Sequence, residues 1–253
     1  MTNLNNALVA QAGLRTWYSD HARKLPWRLT PSLYGTWLSE ILLQQTQVET
    51  GLPKWHLFLE RFPTVGHLAR ASESEVLKAW EGLGYYRRAT LLHKAARAID
   101  AAGEFPMSYD AWLKLPGVGP YTAAAIASIG LGEAVAAVDG NVQRVVARWA
   151  GITDPVDGKT GAQAVQKVAD AWLDHDAPGN HNQAVMELGA LVCKPRNPAC
   201  TLCPISSHCA SANNQDMWGV LPAKKVKKKV QRWALTCHIA RFENNIVATQ
   251  RPE

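Results

Sequence analysis

Apolar residues recur at helical spacing through most of the first 192 positions. Leu4, Leu8, Leu14 and Trp17 stand among polar residues and predict one helix over 4–21, with Gly13 weakening it. Residues 22–35 interrupt the pattern with a basic, aromatic, proline-stiffened loop holding Arg23, Lys24, Leu25, Trp27 and Arg28. Helical spacing returns over 36–50, where Trp37, Ile41, Leu42 and Val48 supply the apolar face. Glu40 lies on that helix, and the polar run Gln44-Gln-Thr-Gln47 follows directly. Further helices are expected over 54–61, 74–80, 86–102 and 109–114, with turns at Pro63, Gly82-Leu-Gly84 and Gly103-Glu-Phe-Pro106. Leu115 to Ser128 reads as a turn followed by a helix. Helices over about 142–150, 161–173 and 181–192 complete the series. No segment up to that point alternates like a strand, so the class is mainly α.

The character changes after Cys209. Residues 211–229 are polar and end in Lys224, Lys225, Lys227, Lys228 and Lys229, which predicts a linker. Those lysines suit phosphate contacts or plain solvation equally. Residues 230–240 and 245–249 have strand composition and fit a hairpin around Glu243-Asn-Asn245. Two strands do not make a domain, so they read as the opening of one. The 253 residues are 47% apolar and 19% charged, a globular composition. A net charge of +6 leaves room for a polyanionic partner without requiring one. The start Met1-Thr-Asn-Leu-Asn lacks the features of a signal peptide, and no apolar run reaches membrane-spanning length. The expected compartment is cytoplasmic, with no membrane partner. Seven of the ten tryptophans fall in helical segments and are expected to pack in cores.

The strongest chemical signal is Cys193-x6-Cys200-x2-Cys203-x5-Cys209. Four thiolates grouped this closely suit a metal site. The spacing leaves four-cysteine zinc and a [4Fe–4S] cluster both open, with a disulfide-bonded knob as the structural alternative. A second signal is Leu115-Pro-Gly-Val-Gly-Pro-Tyr-Thr-Ala123, where Gly117 and Gly119 form a tight turn before a helix. Such a turn can hold a DNA phosphate through backbone N–H groups, helped by Lys114, or it can be purely structural. Taken alone, Glu40 and Asp139 are ordinary carboxylates, and Asp139 is a plausible helix cap.

Leu115–Ala123 resembles the helix-hairpin-helix element of DNA repair glycosylases. Leu25-Pro-Trp-Arg28, Leu38-Ser-Glu-Ile-Leu-Leu-Gln-Gln-Thr-Gln47, Gly82-Leu-Gly-Tyr-Tyr86 and Asp139-Gly-Asn-Val142 resemble adenine DNA glycosylases of the MutY type. The cysteine series resembles the [4Fe–4S] ligands of that family and of endonuclease III. The resemblance implies a monofunctional enzyme that flips adenine out of a mispair with 8-oxoguanine, or less readily guanine, and leaves an abasic site. It implies Glu40 as general acid, Asp139 as the carboxylate that stabilises the oxocarbenium ion, and Asn141 as its orienting partner. Tyr121 stands where lyase relatives carry a Schiff-base lysine. Gln44 is implied as the residue entering the DNA stack and Tyr85 as the wedge beside the oxidised guanine. Arg23, Leu25, Trp27, Arg28 and Glu187 match adenine-pocket positions. Cys193, Cys200, Cys203 and Cys209 would hold the cluster.

The implied fold is two helical lobes with a DNA cleft between them. Residues 24–135 form a six-helix lobe, and 1–23 with 136–212 form the cluster lobe. Residues 213–229 are the basic linker, and 230–253 begin a second domain resembling nucleotide hydrolases. The resemblance also implies a monomer working on double-stranded DNA, nucleoid-associated in a bacterial cytoplasm. The alternatives are a pyrimidine-mismatch glycosylase on the same scaffold and a non-catalytic structure-specific DNA-binding protein.

Overall fold

The computed structural model describes residues 4–226 and the short strand residues at 241–242 and 245–246. Helices α1 (Leu4–His21), α2 (Pro26–Leu29), α3 (Leu33–Leu42), α4 (Val48–Arg61), α5 (Val65–Arg70), α6 (Glu73–Trp80) and α7 (Arg87–Ala102) come first. Helices α8 (Tyr109–Trp112), α9 (Pro120–Leu131), α10 (Gly140–Ala150), α11 (Lys159–Trp172), α12 (Pro178–Leu191) and α13 (Gln215–Val220) follow. Side-chain caps start α3, α5, α6, α8 and α10. Ser32 accepts from the Gly35 N–H at 3.0 Å, Ser72 and Glu75 form a capping box, and Asp139 accepts from the Val142 N–H at 2.7 Å. Gly103, Gly132 and Gly151 end α7, α9 and α10 in left-handed backbone.

The helices bury their apolar faces in two separate cores. The first draws on residues from Leu25 to Ile126 and centres on Trp37, Phe58, Trp80 and Trp112. The second combines α1 with residues 136–205, where Trp149 stacks on Trp172 at 4.5 Å between ring centroids. Helix α1 packs on α11 and α12, far downstream in sequence. Gly13 permits this docking, because a Cβ there would sit 2.9 Å from the Pro204 carbonyl oxygen. Helix α9 joins the cores by packing on both α3 and α12. Its run Thr122-Ala-Ala-Ala-Ile-Ala-Ser128 is buried throughout, and small residues allow close approach on both sides. Gly179 lies so near the end of that run that a Cβ would meet the Ser128 oxygen at 2.7 Å.

Several boundaries differ from those read in the sequence. The loop over 22–35 contains α2 and the start of α3, since Pro26 suits a first helical position. The helix expected over 36–50 is two helices. Gln45 adopts φ 57° in the turn between them, and α4 then begins at Val48 rather than 54. Helix α5 arises from the turn region after Pro63, capped by Thr64. Residues 213–226 are not a free linker. They contain α13, bury Leu221, and pair Ala223 O with Val156 N–H at 2.9 Å. Arg241–Phe242 pairs antiparallel with Asn245–Ile246. Arg241–Phe242 falls just past the expected first strand; residues 230–240 and 247–249 of the expected strands, with Lys227–Lys229 and Cys237, lie outside the described residues.

A candidate active site between two cores

Where the cores meet, a cavity of about 620 Å³ opens between α3, α9, α10 and α12. Glu40 reaches it from the last turn of α3, and Tyr121 from the first turn of α9. The Tyr121 hydroxyl donates to Glu40 Oε2 at 2.6 Å and lies 3.5 Å from Met186 Sδ. Burial pushes the Glu40 carboxyl up to about 7; the Tyr121 hydrogen bond and Arg28 oppose this, and the Asp139 charge adds to it. Tyr121 itself is held far from ionisation by burial and by the charge of Glu40. A carboxyl titrating near neutrality beside an un-ionised phenol can give up a proton near neutral pH.

Asp139 enters the same cavity from the start of α10. Burial raises its pKa, while the Val142 N–H, the Asn141 amide at 3.1 Å and the Arg144 charge favour its anion. Its position follows from its cap function, which fixes the carboxylate at the start of α10. Asn141 is held in turn by Arg144 at 2.8 Å, whose guanidinium also donates to the carbonyls of Gly189 and Cys193 at 2.8 Å each. Gly189 allows the α10–α12 approach this needs, since a Cβ there would meet Asn141 Cβ at 2.7 Å.

The far wall is an ion triplet. Glu187 accepts from Arg23 Nε and Nη2 at 2.8 Å, from the Arg23 N–H at 2.9 Å and from Arg28 at 3.1 Å. Burial would raise the Glu187 pKa, but these bonds and the Arg28 charge take it down to about 2. Leu25 and Trp27 line the same cavity, with Trp27 tilted against Trp55. Gln44 joins them and donates to Thr122 Oγ1 at 3.2 Å, and Gly119 lies at the rim as the residue before α9. Gly117 and Tyr85 are not among the lining residues. Gly117 turns the hairpin at φ 77° against Leu91, and Tyr85 projects into solvent at 70% exposure. Sequence reasoning missed Thr36, Met186 and Arg144. The usable signal was spacing: Thr36 lies one turn before Glu40, and Arg144 follows Gly140 by one turn.

Cys193, Cys200, Cys203 and Cys209 line a separate apolar cavity with Trp149, Ile205 and Trp218. All four thiols are free, so the disulfide alternative falls. Among the described residues no group of three His, Cys, Asp or Glu side chains closes on one metal ion. Four sulfurs around a shared hollow instead fit a polynuclear cluster, in which each iron takes one thiolate. Burial and the neighbouring sulfurs push Cys203 up to about 12 and also raise Cys200 and Cys209, so bare thiolates are disfavoured without a cationic core. Arg148 Nη1 stands 3.6 Å from Cys193 Sγ and donates to the Lys194 carbonyl at 2.7 Å, which supports the loop.

A glycine hairpin, a two-carboxyl cavity between helical cores and a four-thiol loop define a base-excision architecture. Residues 38–170 match the model of the HhH-GPD superfamily of base excision DNA repair proteins, and residues 193–209 match the iron–sulfur binding domain of endonuclease III. The four cysteines are therefore the ligand set of a [4Fe–4S] cluster. The chain is 36% identical to an adenine DNA glycosylase of Buchnera aphidicola subsp. Baizongia pistaciae, over 96% of this chain and 70% of that protein. It is 38% identical to the adenine DNA glycosylase of Buchnera aphidicola subsp. Schizaphis graminum, over 84% of this chain and 62% of that one. The structure is similar to that of a thermostable thymine-DNA glycosylase, with a TM-score of 0.73 and 27% identity over 82% of this chain and 97% of that one. This chain belongs to the adenine DNA glycosylase family. Against the Schizaphis graminum relative it spans 62% of that protein's length. No helix among the described residues is long and apolar enough to cross a membrane.

Proposed function

We propose that the chain carries the catalytic core of an adenine DNA glycosylase acting on adenine opposite 8-oxoguanine, or less readily guanine, in double-stranded DNA. The observation that carries the reading is the Glu40–Tyr121 pair facing Asp139 in one cavity, with Glu40 protonated near pH 7. The target adenine swings out of the duplex into this cavity. Glu40 gives its proton to N7 of adenine as the N9–C1′ bond breaks, and the bonding electrons leave with the neutral base. Asp139, ionised, stabilises the positive charge that grows on the sugar. Water then adds to C1′, and its proton passes to the Glu40 carboxylate, which restores the acid. Asn141 orients Asp139, and Tyr121 orients Glu40 without acting as a nucleophile.

Glu187 with Arg23 and Arg28 offers fixed polar groups to the flipped base, and Leu25 and Trp27 offer apolar surface. Gln44 and Tyr85 occupy the space that the base vacates. The hairpin at Gly117 and Gly119 holds a phosphate through backbone N–H groups. When bound, the cluster supplies a covalent cross-link for the 193–209 loop. The two cores correspond to two lobes, near 24–135 and near 1–23 with 136–212, and a monomer is sufficient because one chain supplies the whole cavity.

A single-turnover assay on duplexes with adenine opposite 8-oxoguanine, guanine or thymine tests the proposal. The first should give abasic product fastest. A protein loaded with its cluster that releases no adenine from that duplex refutes it. The likeness to a thymine-DNA glycosylase supports a pyrimidine reading, which predicts thymine release from a thymine–guanine mispair in the same assay.

A further inference from the structure

Two tight turns meet at one side chain. The first links α3 to α4 through Leu43–Thr46, and the second links α6 to α7 through Gly82–Tyr86. Arg88, in the first turn of α7, donates to the carbonyls of Ile41 at 3.2 Å, Leu42 at 3.4 Å and Gln44 in the first turn. Its other terminal nitrogen donates to the Leu83 carbonyl at 3.1 Å in the second turn. The guanidinium also lies over the rings of Trp80 at 5.0 Å and Tyr85 at 5.9 Å. Among the described residues no carboxylate pairs with it. Its partners are the end carbonyls of α3 and carbonyls of the two turns; of these the Gln44 carbonyl also accepts from the Thr46 hydroxyl at 3.4 Å.

Both turns hold a non-glycine residue in left-handed backbone, Gln45 at φ 57° and Tyr85 at φ 46°. Such conformations persist only where the surroundings impose them. Here the two terminal nitrogens of one arginine reach one turn each, with Nη2 also 3.5 Å from the Thr46 hydroxyl and Nε buried without a partner, a two-pronged reach that the single ammonium of a lysine does not have. One guanidinium thus touches both an exposed tyrosine ring and the backbone of a glutamine that lines the cavity. Side chains that fill a base stack insert at least cost when their position is set beforehand.

We propose that Arg88 is a positioning residue that sets Gln44 and Tyr85 together as one rigid wedge for opening a DNA base stack. The inference rests on the DNA-glycosylase reading above. The test uses the full chain and a duplex carrying 2-aminopurine next to an adenine opposite 8-oxoguanine, at saturating protein checked by anisotropy. Wild-type protein should raise the 2-aminopurine fluorescence as stacking is lost. Arg88→Lys keeps the charge but loses the fork, and should cut that rise about tenfold, the size of one lost base–aromatic stacking contact. Tyr85→Ala, a substitution at an exposed site, should cut it comparably. The double variant should fall no further than Tyr85→Ala, because both changes disable one wedge. Arg88→Lys should release adenine from a single-base bulge, where the target is already unstacked, at close to the wild-type rate.

A wild-type rise with Arg88→Lys, or additive losses in the double variant, overturns the inference. The fluorescence step needs no base release. A wild-type chain that unstacks DNA through Arg88 yet releases no adenine therefore refutes the excision chemistry and upholds the wedge.

Discussion

Replacing Glu40 by Gln should make the fold more stable above neutral pH while abolishing excision. The reason is the displaced titration of this carboxyl, from an ordinary value of 4.5 to about 7, caused first by burial. Below pH 4.5 the group is protonated in both the folded and unfolded chain, and it contributes nothing to the pH dependence. Between 4.5 and 7 the unfolded chain gives up its proton while the folded chain keeps it, so stability falls as pH rises. Above 7 the folded chain carries a buried carboxylate at its full cost. At 1.36 kcal/mol per pKa unit, that cost is about 3 kcal/mol. The amide of Gln has the same shape and cannot ionise. Urea unfolding followed by tryptophan fluorescence between pH 5 and 8.5 should show the variant's advantage growing by about 2.5 kcal/mol across the range, the remainder falling below pH 5. A difference that stays flat with pH would refute the displaced titration, and with it the argument that Glu40 carries a proton at neutrality. The same titration makes excision by the wild type fall as pH rises past 7, because the acid form is consumed.

Other substitutions separate roles that one residue combines. Asp139→Asn keeps a good helix cap, so unfolding free energy should change by less than about 1 kcal/mol, while single-turnover excision should drop by roughly 100-fold or more. Glu187→Gln strands two arginine charges and should destabilise the fold by about 3 kcal/mol in urea. Because the Glu187 pKa is lowered to about 2, this loss should be constant from pH 8 to 5, in contrast to the Glu40 series. Gly189→Ala drives a methyl group into Asn141 and should slow excision about tenfold with little change in DNA affinity, measured by single-turnover kinetics and anisotropy.

Helical class was legible because apolar spacing dominates through Leu191, and α1 was read from Leu4 to His21 with its bounds intact. The breaks were harder to read. Nothing in Leu42-Leu-Gln-Gln-Thr-Gln47 announces a turn by residue type, and the donor its carbonyls meet is Arg88, 44 positions from Gln44. The tail near α13 reads as polar because its anchors are backbone carbonyls, at Trp218 and Leu221, that accept from buried Arg148. Carbonyls carry no sequence signature. The carboxyls and cysteines were nameable as residues and motifs, but the low pKa of Glu187 and the Arg144 tie to Asn141 depend on contacts between α10, α12 and the 22–29 segment. Such contacts exist only once the cores have met.

The docking of α1 has a consequence for the order of assembly. The helix is made before every other described element, yet its partners on α11, α12 and at Pro204 lie well over 100 residues further on. The first core, from Leu25 to Ile126, is contiguous and has its partners at hand much sooner. A nascent chain can therefore complete the first core before α1 is docked, and α1 finds its apolar partners only once α11 and α12 have been made. The contact of α1 with Pro204 has to await the cysteine loop, so the second core closes late in synthesis, with the 211–226 segment still to be added against Arg148 and Val156.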